Sequence, residues 1–157
     1  MVECNTGCCI WGNCEMSTLS IQDSMGAVSS SITLTNAIDE GMVCRGVLAP
    51  KHLRQHTEEA LVDTGSVHLV ISEQIAQSLG LRILGQQGVE YADGRRVTVG
   101  VTEAILIECE GRQTTDEALV TGNGILIGQV ILEKLDLLVD CRQQKLIPNP
   151  EHPDYPV

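Results

Sequence analysis

Aromatic side chains are nearly missing from this chain, which has no Phe, one Trp and two Tyr among its 157 residues. A core must therefore be built from Val, Ile, Leu and Ala, and the stacking platforms on which single-stranded nucleic acid is read are lacking. Positive charge is scarce as well. Ten basic residues stand against 21 acidic ones, giving a net charge of −11, the wrong sign for a phosphate backbone, so nucleic acid is excluded as a partner. No run approaches the ~20 consecutive apolar residues that span a bilayer. The first residues show neither a basic nor an apolar leader pattern. A soluble, unexported, cytoplasmic protein with no membrane partner is expected.

Paired cysteines are also wanting. There are seven, with Cys4, Cys8, Cys9 and Cys14 crowded early and Cys44, Cys109 and Cys141 scattered, unlike the framework of a disulfide-stapled secreted domain. Reduced thiols are the simpler account. The early cluster lacks the paired CxxC spacing of zinc sites, and His52, His56, His68 and His152 form no HExxH pattern. No metal or cofactor is implied, although a thiol or metal sensor built on the early cysteines stands as a distant rival.

What remains is a chain long enough for one domain and too short for two. Residues 1–28 have little periodicity and read as a disordered, Cys-containing segment, residues 29–150 as one domain, and 151–157 as a Pro-rich tail. Alternation predicts strands at Ser31–Thr35 and Met42–Leu48, separated by a turn over Asn36–Gly41. A polar loop over Pro50–Thr57 leads to a short strand, Glu59–Val62. That strand runs into Asp63-Thr64-Gly65-Ser66, and extended structure resumes at His68–Ile71. Ser72 caps a helix over Glu73–Leu79 that stops at Gly80, with Ile75, Ala76 and Leu79 inward. Val89–Val101 reads as a hairpin folded at Asp93-Gly94 through a type I′ turn, able to project as a flap. Further strands follow around Gly111, then Ile125–Ile127, a second helix over Gln129–Leu135, and a closing strand at Leu137–Val139. Beyond Leu146, four prolines predict an extended tail outside any ladder. There is no internal repeat.

The heptapeptide Ala60-Leu61-Val62-Asp63-Thr64-Gly65-Ser66 resembles the active-site loop of the retropepsin-like aspartic peptidases. Leu126-Ile127-Gly128 before a helix resembles the apolar-apolar-Gly element of the same family, and Tyr91-Ala92-Asp93-Gly94-Arg95 lies between the two where a flap is expected. The similarity extends over roughly residues 30 to 150, especially to small single-domain bacterial members. It implies an all-β, closed-barrel acid-protease fold with one or two short helices and a flap hairpin.

The chemistry suits these residue types. Peptide hydrolysis needs one carboxylate to activate water while a second, protonated one polarises the scissile carbonyl. One loop supplies one of them, and no second Asp-Thr/Ser-Gly exists in the chain. The expectation is a homodimer that pairs two Asp63 carboxylates and cuts an extended peptide or protein substrate. Gly65 lets the loop turn beneath the carboxylate, Ser66 is expected to donate to the outer oxygen of Asp63, and the resemblance implies that Thr64 bonds across to the partner loop. Tyr91, Ala92, Asp93 and Gly94 are expected to cover substrate. Gly128 leaves room where two segments pass closely. The alternative from another class is a noncatalytic homodimeric module that binds peptides in the same groove.

Overall fold

The computed structural model describes residues 26–155, so the early cysteine cluster, Cys4 to Cys14, lies outside the described residues. Eleven strands and three helices follow one another in this part of the chain: β1 (Ser29–Asn36), α1 (Ala37–Cys44), β2 (Gln55–Val62), β3 (Leu69–Ile71), α2 (Glu73–Ser78), β4 (Ile83–Glu90), β5 (Arg96–Thr102), β6 (Ile105–Cys109), β7 (Arg112–Asp116), β8 (Ala118–Val120), β9 (Leu126–Ile127), α3 (Gln129–Leu135), β10 (Leu137–Asp140) and β11 (Lys145–Pro148). Nine strands form one sheet in the order β4-β5-β8-β3-β9-β2-β1-β6-β7, and β10 and β11 pair separately. The sheet is mostly antiparallel. Its two parallel pairs, β2 with β9 and β3 with β8, meet at its centre.

The fold is thus mostly β, as expected, but the sheet is open and not a closed barrel. β4 and β7 stand at opposite ends of the order and do not pair. At one end α3 lies against β7, and at the other β4 has only β5 beside it. Closure would require those two strands to meet.

Alternation places Ile32 and Leu34 of β1 and Ile105 and Ile107 of β6 inward. They join Ile71, Leu79, Ile127, Ile131, Leu135 and Leu146 in one buried aliphatic cluster. A second, smaller cluster of Val70, Val99 and Leu119 sits beneath the β4–β5 hairpin with Val89, Val101 and Leu126 against it. Neither contains an aromatic ring. Both tyrosines sit beside arginines instead, Tyr91 with Arg95 at 5.5 Å and Tyr155 with Arg112 at 4.9 Å.

Three local elements differ from the sequence reading. Residues 37–44 form α1 where a turn and the start of a strand were expected. Asn36 caps it, its Oδ1 accepting from the amides of Ile38 and Asp39 at 3.0 and 3.1 Å, and Asp39 and Glu40 occupy the favourable first turn. The type I′ turn falls at Glu110-Gly111 between β6 and β7, where both φ angles are positive. The β4–β5 hairpin instead closes through a three-residue loop: Tyr91 N–H donates to Arg95 O, Gly94 N–H to Tyr91 O, and Gly94 alone has a positive φ. Finally, β11 carries the ladder through Pro148, and the residues after it turn back onto the domain.

That return is organised by Arg112, which is 5 % exposed. Its guanidinium donates to the carbonyls of Leu135, Asp136 and His152 at 3.0, 2.6 and 2.7 Å. It satisfies the orphan carbonyls at the C-terminus of α3 and tethers the last turn of chain. Asp136, in the left-handed conformation, receives Asn149 Nδ2 at 3.0 Å and shares a 2.6 Å contact with His152 Nδ1. The Asn149 and His152 bonds hold its carboxyl below the usual range.

A second buried charge fixes α1. Asp39 accepts from the backbone N–H, Nε and Nη2 of Arg54 at 3.2, 2.7 and 2.8 Å. The Arg54 side-chain bonds lower its pKa, outweighing the opposing effect of burial. A carboxyl lowered on folding contributes stability that is present above its unfolded pKa and lost as pH falls through the folded value. Asp39→Asn should therefore cost about 2 kcal/mol at pH 7, and the difference from wild type should shrink as pH drops below about 4. Urea denaturation between pH 7 and pH 3 checks this; a pH-independent difference would contradict it.

Candidate active site

Strand β9 lies between β2 and β3, although β2 and β3 are successive strands. The loop joining them, residues 63–68, must therefore cross the end of β9. Strands β2 and β9 are parallel, with Leu61 opposite Leu126 and Val62 opposite Ile127, so Asp63 and Gly128 leave the sheet side by side. Asp63 N–H continues the ladder to Ile127 O at 3.0 Å. The turn then closes through Ser66 N–H to Asp63 O at 3.1 Å, while Gly65 N–H donates to Asp63 Oδ1 at 3.0 Å. Backbone thus orients the carboxylate directly.

Helix α3 begins where this loop passes. Its N-cap, Gly128, has no side chain to satisfy the first free amides. The loop supplies the acceptors: Gln129 N–H donates to Ser66 O at 2.8 Å and Val130 N–H to Val67 O at 3.1 Å. Contact is so close that a Cβ on Gly128 would stand 2.3 Å from His68 O and 2.7 Å from Val67 O. The φ of Gly128 is −85°, so the demand for glycine is one of space rather than of backbone conformation.

Asp63 opens onto a groove of about 700 Å3. One wall comes from the loop and floor: Gly65, Ser66, Val67, His68, Val70, Leu119, Thr121 and Leu126 among them. The other comes from the hairpin, with Gln87, Val89, Glu90, Tyr91 and Ala92. Of the residues expected to cover substrate, Tyr91 and Ala92 line the groove onto which Asp63 opens. Asp93 and Gly94 sit at the tip outside the lining, with Asp93 bonded to Arg95 N–H and Nε at 3.0 and 2.6 Å. Thr64 is exposed on the turn. Ser66 differs from expectation: its hydroxyl makes a long bond to His68 O at 3.4 Å rather than donating to Asp63, whose Oδ1 accepts from Gly65 N–H. His68, Gln87, Thr121 and Leu126 escaped the sequence reading as lining residues. Alternation along β4 was the signal that could have found Gln87.

Gly128→Ala should destabilise the fold by about 3 kcal/mol or more, since the methyl meets backbone that cannot move without dislodging the loop. Gly124→Ala, where a Cβ meets nothing within 4 Å, is the control and should stay close to neutral. Thermal melts of both variants decide; equal effects would refute the steric account.

Residues 52–127 match a family model described as aspartyl protease. No curated protein matches the chain. The matched stretch contains the Asp63 loop, the β4–β5 hairpin and the whole floor of the groove, and it ends one residue before Gly128. Over these residues the chain is similar to a retropepsin-like aspartyl protease family.

Proposed function

We propose that this protein is an aspartic endopeptidase acting as a symmetric homodimer, with one Asp63 carboxylate contributed by each subunit. One observation carries the reading. The groove onto which Asp63 opens has one other carboxylate in its lining, Glu90, and that group is engaged by Arg96 Nε at 2.8 Å. Among the described residues, a single chain thus offers the groove one uncommitted carboxylate where the chemistry requires two. A two-fold axis beside the loop would bring the second from an identical surface. Families of this retropepsin-like kind are typically dimeric and bind peptides, which supports the same assembly.

In this reaction one Asp63 takes a proton from the attacking water while its partner, protonated, donates to the scissile carbonyl oxygen. The pair then shares a single proton, and activity is confined to the pH range in which it does so. Gly65 N–H fixes the orientation of Asp63 Oδ1. Thr64, exposed at the tip, is free to bond across the axis. Val67, Val70, Val89, Leu119 and Leu126 give the groove apolar walls suited to an extended peptide beneath Tyr91 and Ala92, with Asp93 and Gly94 shaping the flap tip. No metal or cofactor enters the scheme.

The noncatalytic rival uses the same groove and predicts binding without turnover. Asp63→Asn should lower kcat/KM on a peptide library by about 10⁴-fold or more and leave peptide binding measurable. Specific activity should also fall on dilution below the dimer dissociation constant. Full activity in a species that sediments as a monomer, or in Asp63→Asn, would overturn the proposal.

A further inference from the structure

Successive residues of β4 point to opposite faces. Gln86, Gly88 and Glu90 are exposed, whereas Gln87, Val89 and Tyr91 are half-buried and turned toward the groove. Each of these three has a partner on the floor. Gln87 Nε2 lies 3.4 Å from His68 Nε2, Val89 packs on the Val70–Val99–Leu119 cluster, and the Tyr91 hydroxyl lies 3.1 Å from Thr121 Oγ1. The flap of the free chain therefore rests along the floor instead of standing clear of it. A peptide must enter between these same two surfaces.

We propose that the Tyr91–Thr121 hydrogen bond is a latch holding the flap shut over the empty groove, and that Thr121 is a positioning residue that controls substrate entry. Both halves of the latch are held by backbone. Thr121 N–H donates to Ile71 O at 3.0 Å, so the residue is anchored to the floor. Tyr91 is fixed by its paired bond to Arg95 O and by the Arg95 guanidinium over its ring. Leverage favours this contact. The hairpin joins the sheet where Gly100 and Val101 of β5 pair with Val120 and Leu119 of β8, and Tyr91 sits at the other end of β4, beside the turn. Opening the tip breaks this bond first and the Val89 packing next.

The kinetic consequence rests on the peptidase reading; the latch itself is a property of the free chain and is tested without substrate. Amide hydrogen exchange is measured over residues 83–102 of the full-length protein. Thr121→Val and Tyr91→Phe should each speed exchange near the flap tip about fivefold, the factor one net hydrogen bond is worth. The double variant should be no faster than either single one, and Thr121→Ser, which keeps the hydroxyl, should restore the wild-type rate. With a peptide substrate, Thr121→Val should lower KM by a similar factor, the gain falling on KM and not on kcat. Unchanged flap exchange in Thr121→Val would overturn the proposal. So would a rise equally large in β1 and β6, which signals general loosening, or a higher KM, which would place the bond in the substrate complex. A chain that cleaves nothing would defeat the peptidase reading while the exchange result still decides the latch.

Discussion

Two hydrogen bonds, from the first amides of α3 to the carbonyls of Ser66 and Val67, hold the arrangement on which everything else at the site depends. A helix start leaves donors unmet, and an arch of loop leaves acceptors unmet. Here each deficit satisfies the other. The β2–β9 ladder is two residue pairs long and could not by itself fix the loop that follows it. The buried face of α3, Ile131, Leu132 and Leu135, seats the helix in the main core, and the helix in turn seats the loop. The position of Asp63 is thus tied to the largest apolar cluster of the domain.

Electrostatics follow the same economy. With 21 acidic residues, the chain places three of its arginines where they bond to backbone carbonyls or to carboxylates drawn out of water. Arg112 faces three carbonyls, Arg54 grips Asp39, and Arg82 Nε reaches the buried Glu103 at 2.6 Å. Among the described residues no buried side-chain polar atom lacks a partner. The groove lining contains no Lys or Arg, and among the described residues no lysine or arginine pairs with Asp63.

The site was legible in the sequence where chemistry is written in contiguous residues. Leu61-Val62-Asp63-Thr64-Gly65 announced the loop, Ser72 and Gly80 bracketed α2, and Leu126-Ile127-Gly128 marked the start of α3. What escaped depends on contacts distant in the chain. Asn36–Gly41 read as a turn and Met42–Leu48 as a strand, yet the Asn36 cap and the Asp39–Arg54 pair outweigh those local preferences. The open sheet could not be foreseen, since closure depends on whether β4 and β7 meet, two strands separated by more than twenty residues. Nothing in the sequence sets Arg112 apart. Only the fold brings the end of α3 and His152 around it.

The buried Arg112 also sets an order of events for a chain made from its first residue onward. A nascent chain that has emerged to Ile127 already carries Asp63 and the β4–β5 hairpin, but it has no α3 amides to hold the 63–68 loop. Growth through Leu135 supplies them, and the guanidinium still has an unfilled donor until the carbonyl of His152 arrives. The support of Asp63 is thus completed only once the chain has grown through His152.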